Sequence, residues 1–362
     1  MKIKKIVIEN IGPFTEKREF DFTDSFSGKA EPFLMFSGVN GSGKSTLLNA
    51  ISYLWEATGL WHYSKKSIEG KKANEKRVKD FFGTNGCFSM LIEDFPDFLK
   101  GNGAKCSVII HYGDNKIKEK ADFKIGEKRS QDKPSVFVLA GEDSDNDNSK
   151  VEFFGLWAQE YKKLIQAVPA KTPNIIYLDA EARRWIKAEK GIGEPIQEDN
   201  RKRWIFRYEA NSKWDSQLEA SLITLKTTKP QKFHDIVKTL NRFLKGKVIE
   251  TDISEHDNRL RVYILKNGRK NGFHYFDELS AGERDILTMT YSVARWMEKG
   301  AVVLLDEPDI FLHPSIIADF FSLIEQLVKE NEGQLIVTSH QPQLWDRYDL
   351  RSRRIDLSEV VK

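Results

Sequence analysis

Gly38-Val39-Asn40-Gly41-Ser42-Gly43-Lys44-Ser45-Thr46 is the stretch that decides the fold. It matches the pattern G-x-x-x-x-G-K-[ST], in which glycines let successive backbone N–H groups surround a phosphate. An apolar run at 33–36 precedes it, and residues 46–55 follow with apolar positions at helical spacing. Strand, glycine loop and helix in this order predict a phosphate-binding loop.

The residue types of this loop predict a nucleotide and Mg²⁺ as its ligands. The positive end of the following helix points at the same phosphates as the loop's N–H groups. Lys44 is expected to reach the β- and γ-phosphates, and the Ser45 hydroxyl to ligate Mg²⁺. The predicted nucleotide-binding residues of the loop are Gly38, Asn40, Gly41, Ser42, Gly43, Lys44, Ser45 and Thr46.

Length and composition restrict the class of protein. The 362 residues suffice for about two domains, and 40% apolar residues is ordinary for a globular chain. A net charge of +3 gives no overall attraction to nucleic acid, and the two cysteines form neither a metal cluster nor a disulfide framework. The N-terminus is too polar for a signal peptide, and no apolar run approaches the ~20 residues of a membrane span. We therefore expect a cytoplasmic protein without membrane contact.

The chain divides into three predicted parts. Residues 1–139 form an N-terminal lobe that carries the phosphate loop and a basic insertion near 62–100. Residues 140–250 are expected to be a mainly helical insertion, with an amphipathic helix at 152–168. Residues 251–362 form the C-terminal lobe. Apolar runs and alternation predict strands at 3–9, 18–22, 105–112, 135–139, 174–178, 247–253 and 259–265, with turns at Asn267-Gly268 and Asn271-Gly272.

Two basic segments are candidates for contact with DNA or RNA. Residues 65–79 are rich in lysine, which can neutralise backbone phosphates. Residues 183–208 interleave arginines with tryptophan and tyrosine, a combination that can stack bases as well as neutralise phosphates. Each segment also has an ordinary explanation, a solvated face for the first and a partly buried surface with extended arginines for the second.

Leu279-Ser280-Ala281-Gly282-Glu283 opens a second candidate for phosphate contact, because an amphipathic helix follows it to about Glu298. A Ser-x-Gly at a helix start presents a hydroxyl, backbone N–H groups and the positive helix end to an anion. The signal is weak on its own, since serine is also a common helix cap.

An apolar strand at 301–305 ends in Asp306-Glu307-Pro308. After a phosphate loop, such paired acids predict that Asp306 holds Mg²⁺, directly or through water, and that Glu307 polarises the attacking water as general base. A helix at about 314–330 and a strand at 334–338 lead to His340, which can contact the γ-phosphate from a strand end. We therefore predict Glu307, His340 and Lys44 as catalytic residues.

Together these motifs resemble an ABC-type ATPase head of the SMC/RecF-like class. The run Asp306-Glu307-Pro308-Asp309-x-x-Leu312-His313-Pro314 is most similar to the ATPase domains of OLD-type proteins and related bacterial anti-phage defence ATPases. The resemblance implies an α/β fold, a P-loop NTPase head of ABC type with a mixed central sheet and flanking helices, here with a largely helical insertion.

The same resemblance implies an ATP-dependent homodimer. Two heads would sandwich two ATP molecules, each phosphate loop facing residues 279–283 of the other chain, in an isologous C₂ arrangement. Ser280 and Gly282 would complete the γ-phosphate shell in trans, and Glu283 is placed with them as nucleotide-binding. No glutamine is found to assist Mg²⁺, because Gln159 and Gln166 lie on the predicted amphipathic helix.

Three functions are compatible with these motifs. The first is a DNA-associated or anti-phage defence ATPase with a separate effector chain, because only about twenty residues follow His340. The second is a RecF-like repair ATPase that binds DNA directly. The third, a transporter nucleotide-binding subunit, is disfavoured because roughly 240 residues separate Gly43 from Leu279.

Overall fold

The structure is a computed structural model, and it describes residues 1–64, 73–100, 106–113, 124–125, 135–140, 147–189, 193–197, 199–349 and 353–358. The strands are β1 (Lys2–Glu9), β2 (Arg18–Asp21), β3 (Phe33–Ser37), β4 (Cys87–Glu93), β5 (Val108–Gly113), β6 (Lys124–Ile125), β7 (Ser135–Ala140), β8 (Ile175–Leu178), β9 (Ile205–Arg207), β10 (Lys247–Ile249), β11 (Val262–Lys266), β12 (Arg269–His274), β13 (Val302–Leu305), β14 (Gln334–Thr338) and β15 (Arg354–Asp356). The α-helices are α1 (Lys44–Ser64), α2 (Ala73–Phe82), α3 (Asp147–Ile165), α4 (Leu218–Thr228), α5 (Pro230–Leu240), α6 (Ala281–Trp296), α7 (Pro314–Glu330) and α8 (Pro342–Asp349). No helix in these ranges is long and apolar enough to cross a bilayer.

A parallel six-stranded sheet forms the centre of the fold, in the order β15-β3-β14-β13-β8-β9. Its inner strands are almost wholly apolar because both of their faces are covered. Alternate side chains of β13 enter two different cores: Val302 and Leu304 pack on the side of α1, Val303 and Leu305 on the side of α6 and α7. The carboxyl ends of all six strands therefore share one edge, where open α/β sheets bind ligands.

A second six-stranded sheet, β2-β1-β4-β5-β7-β6, is antiparallel and packs against α1 and α3. In β1 the buried residues are Ile3, Ile6 and Ile8, and a register shift between Ile3 and Lys5 accounts for the break in alternation. The predicted α/β class with flanking helices is confirmed, with parallel and antiparallel strands in separate sheets.

The stretch 140–250, expected as a mainly helical insertion, contains α3, α4 and α5 together with the strands β8, β9 and β10. β8 and β9 extend the parallel sheet beyond β13, and the α3 side chain of Trp157 is wholly buried in the same core as α1. The helices α4 and α5 form a further layer, which packs with the small sheet β10-β11-β12. Sequence spacing does not reveal which strand a short apolar run will pair with, so the position of β8 and β9 in this sheet could not be predicted.

The hairpin of β11 and β12 turns at Asn267-Gly268, as predicted, with positive φ angles of 51° and 75°. The second predicted turn, Asn271-Gly272, is wrong, because both residues lie inside β12. Gly272 has a φ of 95°, and the pairing with β11 shifts register between Tyr263 and Leu265. The second Asn-Gly pair thus accompanies an irregularity of the strand.

Lys232 on α5 is expected to reduce the stability of the fold at neutral pH. Its Nζ donates to the Arg295 carbonyl at 2.9 Å, and burial, followed by the charges of Arg295 and Lys229, lowers its pKa to about 8. Between this pKa and the ordinary pKa of lysine, Lys232 holds its proton in the unfolded chain but loses it in the folded protein. The free energy of unfolding therefore rises with pH across this window. We expect Lys232→Met to stabilise the protein by about 1 kcal/mol at pH 7 and by less at pH 10.

Urea unfolding of both proteins at the two pH values measures this difference, with exposed Lys238→Met on the same helix as control. An advantage that is the same at pH 7 and pH 10 would show that the titration of Lys232 is not its cause.

Candidate nucleotide site

The phosphate loop lies between β3 and α1, as predicted. Gly38, Gly41 and Gly43 have φ angles of 143°, 81° and 96°, which other residues rarely adopt. A Cβ on Gly43 would lie 2.5 Å from the Phe14 ring, whereas nothing lies within 4 Å of that position on Gly41. The loop therefore has the backbone shape of a phosphate cradle, with open space in front of Gly41.

A cleft of about 780 Å³ lies in front of the loop, at the carboxyl edge of the parallel sheet. Three segments line most of it: the loop with the start of α1, the turn after β13, and the loop after β8. Their lining residues are Asn40, Gly41, Gly43, Lys44, Ser45, Thr46, Asn49, Asp306, Glu307, Ile310, Phe311, Asp179, Ala180, Glu181 and Arg184. A smaller cavity of about 340 Å³ between β9, α4 and α6 contains none of the predicted site residues.

Lys44 is a buried cation at the base of this cleft. Its Nζ donates to the carbonyls of Gly38 at 3.1 Å and Val39 at 3.2 Å. Burial lowers the pKa of Lys44, and the charges of Glu307 and Asp306 oppose that shift. A partly desolvated ammonium group gains from an incoming anion, which suits the predicted contact with phosphate.

The two predicted Mg²⁺ ligands meet in the structure. The Asp306 carboxylate, at the end of β13, forms hydrogen bonds with the hydroxyls of Ser45 and Thr338. Burial raises the pKa of Asp306, and these two hydrogen bonds counteract the rise. A serine hydroxyl beside an aspartate at a phosphate loop is the donor set that Mg²⁺ needs when phosphate oxygens and water complete its shell.

Glu307 and His340 also meet. His340 Nε2 lies 2.9 Å from Glu307 Oε1, because β13 and β14 are neighbours and both end at the cleft edge. Glu307 has a φ of 43°, a left-handed conformation that is uncommon for residues other than glycine. Such conformations cluster at active sites, where the surrounding structure holds them.

Ser280, Gly282 and Glu283 are not among the described residues that line the cleft. Ser280 caps α6, and its hydroxyl donates to the Glu283 carboxylate at 2.9 Å. Lys247 Nζ also contacts this carboxylate, at 2.8 Å. Gly282 packs so closely on its own chain that a Cβ there would lie 2.6 Å from the Phe311 carbonyl oxygen. This segment therefore lies beside the cleft, next to Phe311, without lining it.

Sequence reasoning missed the loop after β8, which supplies Asp179, Glu181 and Arg184 to the cleft. The strand at 174–178 was predicted, but its position beside β13 was not. Polar residues directly after a parallel strand could have given the signal, because such strand ends form ligand sites. Neither Gln159 nor Gln166 lines the cleft among the described residues, whereas Asp179 does, and its charge adds to the rise in the pKa of Asp306.

Several side chains of the segment 183–208 are buried or pack against other residues of the same chain. Trp204 is buried and stacks on Trp55 with ring centroids 4.5 Å apart, and Arg207 lies 3.9 Å from the centre of the Tyr53 ring. Arg183 is fully buried. These side chains are therefore not available to stack bases or contact phosphates, although Arg184 and Lys187 are exposed.

The other basic segment, 65–79, is described only from residue 73 onwards. Within that part Arg77 lies 3.0 Å from Glu56 and 3.2 Å from Glu209. Lys71 and Lys72 lie outside the described residues. Contact between this segment and nucleic acid remains a prediction.

Comparison with known proteins identifies the family. A family model described as "AAA domain, putative AbiEii toxin, Type IV TA system" matches residues 108–346. The chain is similar to the SMC head domain from Thermotoga maritima, with 13% identity over 96% of this chain and 92% of that one, at a TM-score of 0.42. It is also similar to an SmcHead bound to the C-winged helix domain of ScpA, with 14% identity, coverages of 94% and 90%, and a TM-score of 0.48. No curated protein matches the chain. Because the matched residues make up more than half of its length, the chain belongs to the AAA_21 family of AAA domains.

Proposed function

We propose that the chain is an ATPase that binds ATP with Mg²⁺, dimerises around it and thereby switches an anti-phage defence or DNA-associated process. The observation that carries the proposal is the meeting of Lys44, Ser45, Asp306 and Glu307 in one cleft at the carboxyl edge of the sheet. These residues come from distant parts of the chain. They form the set of cation, hydroxyl and carboxylates that phosphoryl transfer to water requires.

Each residue has one task in the proposed reaction. The N–H groups of the loop and Lys44 bind the phosphates, and Glu307 orients a water molecule and accepts its proton. Mg²⁺, held by Ser45 and Asp306, would neutralise charge on the phosphate oxygens. His340 positions the Glu307 carboxylate, which it contacts at 2.9 Å.

A second copy of the chain is the proposed partner at the cleft mouth. Val39, Ile310 and Phe311 are 52%, 49% and 50% exposed there, and an apolar surface around a charged cleft is typical of an interface. Gly282 packs against the Phe311 backbone, so residues 279–283 belong to the same surface. A C₂ dimer through this surface would place Ser280 and Gly282 of each copy at the other's nucleotide.

The family description names a putative toxin of a toxin–antitoxin system, which favours a defence role. A RecF-like repair ATPase that binds DNA directly is the second candidate. Steady-state phosphate release, measured with and without duplex DNA, separates them. DNA-independent hydrolysis favours the switch with a protein effector, stimulation favours the repair role, and absence of hydrolysis under both conditions contradicts the proposed reaction for the chain acting alone.

We expect Phe311→Glu to prevent ATP-dependent dimerisation, because it places a charge in the apolar part of the proposed interface. Phe311 also lines the cleft, so the added negative charge should weaken ATP binding as well, and the variants are compared at saturating ATP. Light scattering with and without ATP measures the mass. Phe26→Glu is the matched control, because Phe26 is 99% exposed and does not line the cleft. Equal dimerisation of the two variants would place the interface elsewhere.

A further inference from the structure

Arg183 connects three segments of the candidate site from inside the protein. Its side chain is 0% exposed. The guanidinium donates to the Leu178 carbonyl at 3.0 Å, at the end of β8, and to the Asp306 carbonyl at 2.7 Å. It also donates to the Glu307 carbonyl at 3.0 Å and to the Asp285 carboxylate at 3.0 Å. One buried cation thus holds the ends of two neighbouring strands and a residue of α6.

The contact with Glu307 bears on catalysis because Glu307 has a strained backbone. Its N–H donates to the Thr338 hydroxyl at 3.0 Å, and its carbonyl accepts from Arg183. The left-handed residue is therefore held on both sides, by β14 and by Arg183. A carboxylate must be placed within a fraction of an ångström to activate water, so a support of this kind decides the rate more than the binding of substrate.

The contact with Asp285 extends the connection to the surface proposed to meet the second copy. Asp285 is buried in α6, the helix that Ser280 caps. Burial raises the pKa of Asp285, and the Arg183 charge counteracts the rise. A shift of α6 against the sheet would separate this pair or pull the turn that carries Glu307 with it.

We propose that Arg183 is a positioning residue for ATP hydrolysis: its guanidinium fixes the Asp306–Glu307 turn and ties that turn to the helix behind Ser280. This inference rests on the proposed function. The position of α6, which would contact the second copy in the proposed dimer, then sets the position of the general base in its own cleft. The neighbouring Arg184 is different, because it is exposed and lines the cleft directly.

Arg183→Lys tests the proposal, because lysine retains the charge but cannot reach three carbonyls and a carboxylate together. We expect kcat to fall on the order of 100-fold, with ATP affinity in fluorescence titration changed by less than about threefold. Arg203→Lys is the matched control. Arg203 also binds a carboxylate, Glu298 at 2.9 Å, and a carbonyl, Ala170 at 2.6 Å, but before β13 and β8, at the opposite edge of the sheet.

If Arg183 had only a structural role, Arg183→Lys and Arg203→Lys would both lower the unfolding temperature, and each would lower kcat in proportion to its loss of stability. Asp285→Asn covers the case in which Arg183→Lys does not fold, since it retains the shape and removes one charge. We expect this variant to lose about tenfold in kcat and, combined with Glu307→Gln, to need severalfold more ATP for dimerisation. The inference is overturned if kcat is unchanged in both Asp285→Asn and Arg183→Lys. If Arg183→Lys does not fold, an unchanged kcat in Asp285→Asn alone overturns it. Absence of hydrolysis in the wild type would instead contradict the proposed function.

Discussion

Replacing Glu307 by glutamine should slow ATP hydrolysis by about 10²- to 10⁴-fold and leave ATP binding intact. Glutamine has the shape of glutamate but cannot accept the proton of the attacking water. The residue lies 2.9 Å from His340 Nε2 and is held in a left-handed conformation, so an isosteric side chain should stay in place. Phosphate release measures the first effect, and titration with a fluorescent ATP analogue measures the second.

The same variant should accumulate as a dimer in saturating ATP, because the nucleotide that holds the two copies together is no longer consumed. Light scattering would then give twice the mass of the chain. Glu332→Gln is a close control: Glu332 also has a left-handed backbone, with a φ of 53°, but lies beyond α7 and pairs with Lys299 at 2.9 Å. A Glu307→Gln variant that hydrolyses ATP at the wild-type rate would remove Glu307 from the mechanism, and one that stays monomeric would remove the ATP-held dimer.

Local signals were sufficient for the elements that carry the main motifs. The glycine pattern at 38–46 predicted the bend between β3 and α1, because only glycine tolerates the backbone angles of Gly38 and Gly43. The helix expected at about 314–330 and the strand expected at 334–338 have those bounds in the structure. Each is defined by side chains close together in sequence, which is the information that periodicity contains.

The loop after β8 shows where such reasoning ends. Asp179 and Arg183 follow β8 directly and reach the site because β8 lies next to β13. More than a hundred residues separate these two strands in the sequence. The same limit applies to β9, which extends the sheet by pairing with β8. Arg183 and Arg184 are adjacent and chemically identical, yet one is buried behind the site and the other lines the cleft. The course of the folded loop after β8 separates their roles, and the local sequence does not contain it.

Lys44→Ala should weaken ATP binding on the order of 100-fold or more. Hydrogen bonds from a cation to phosphate contribute about 1.5 to 3 kcal/mol each, and two of them amount to roughly this loss. Burial already lowers the pKa of Lys44, so the ammonium group has lost part of its hydration before ATP arrives. Its present acceptors, the carbonyls of Gly38 and Val39, are uncharged and bind a cation less strongly than phosphate oxygens do.

Titration with a fluorescent ATP analogue in the presence of Mg²⁺ measures this loss, and thermal unfolding without nucleotide shows whether the loop tolerates the change. Lys329→Ala, in the exposed last turn of α7, is the control for removal of one positive charge. The binding loss should persist at high salt, because the contact is partly buried and screened little. An ATP affinity within about twofold of the wild type would mean that residues 38–46 do not hold the phosphates, and the assignments of Ser45, Asp306 and Glu307 that depend on this loop would fail with it.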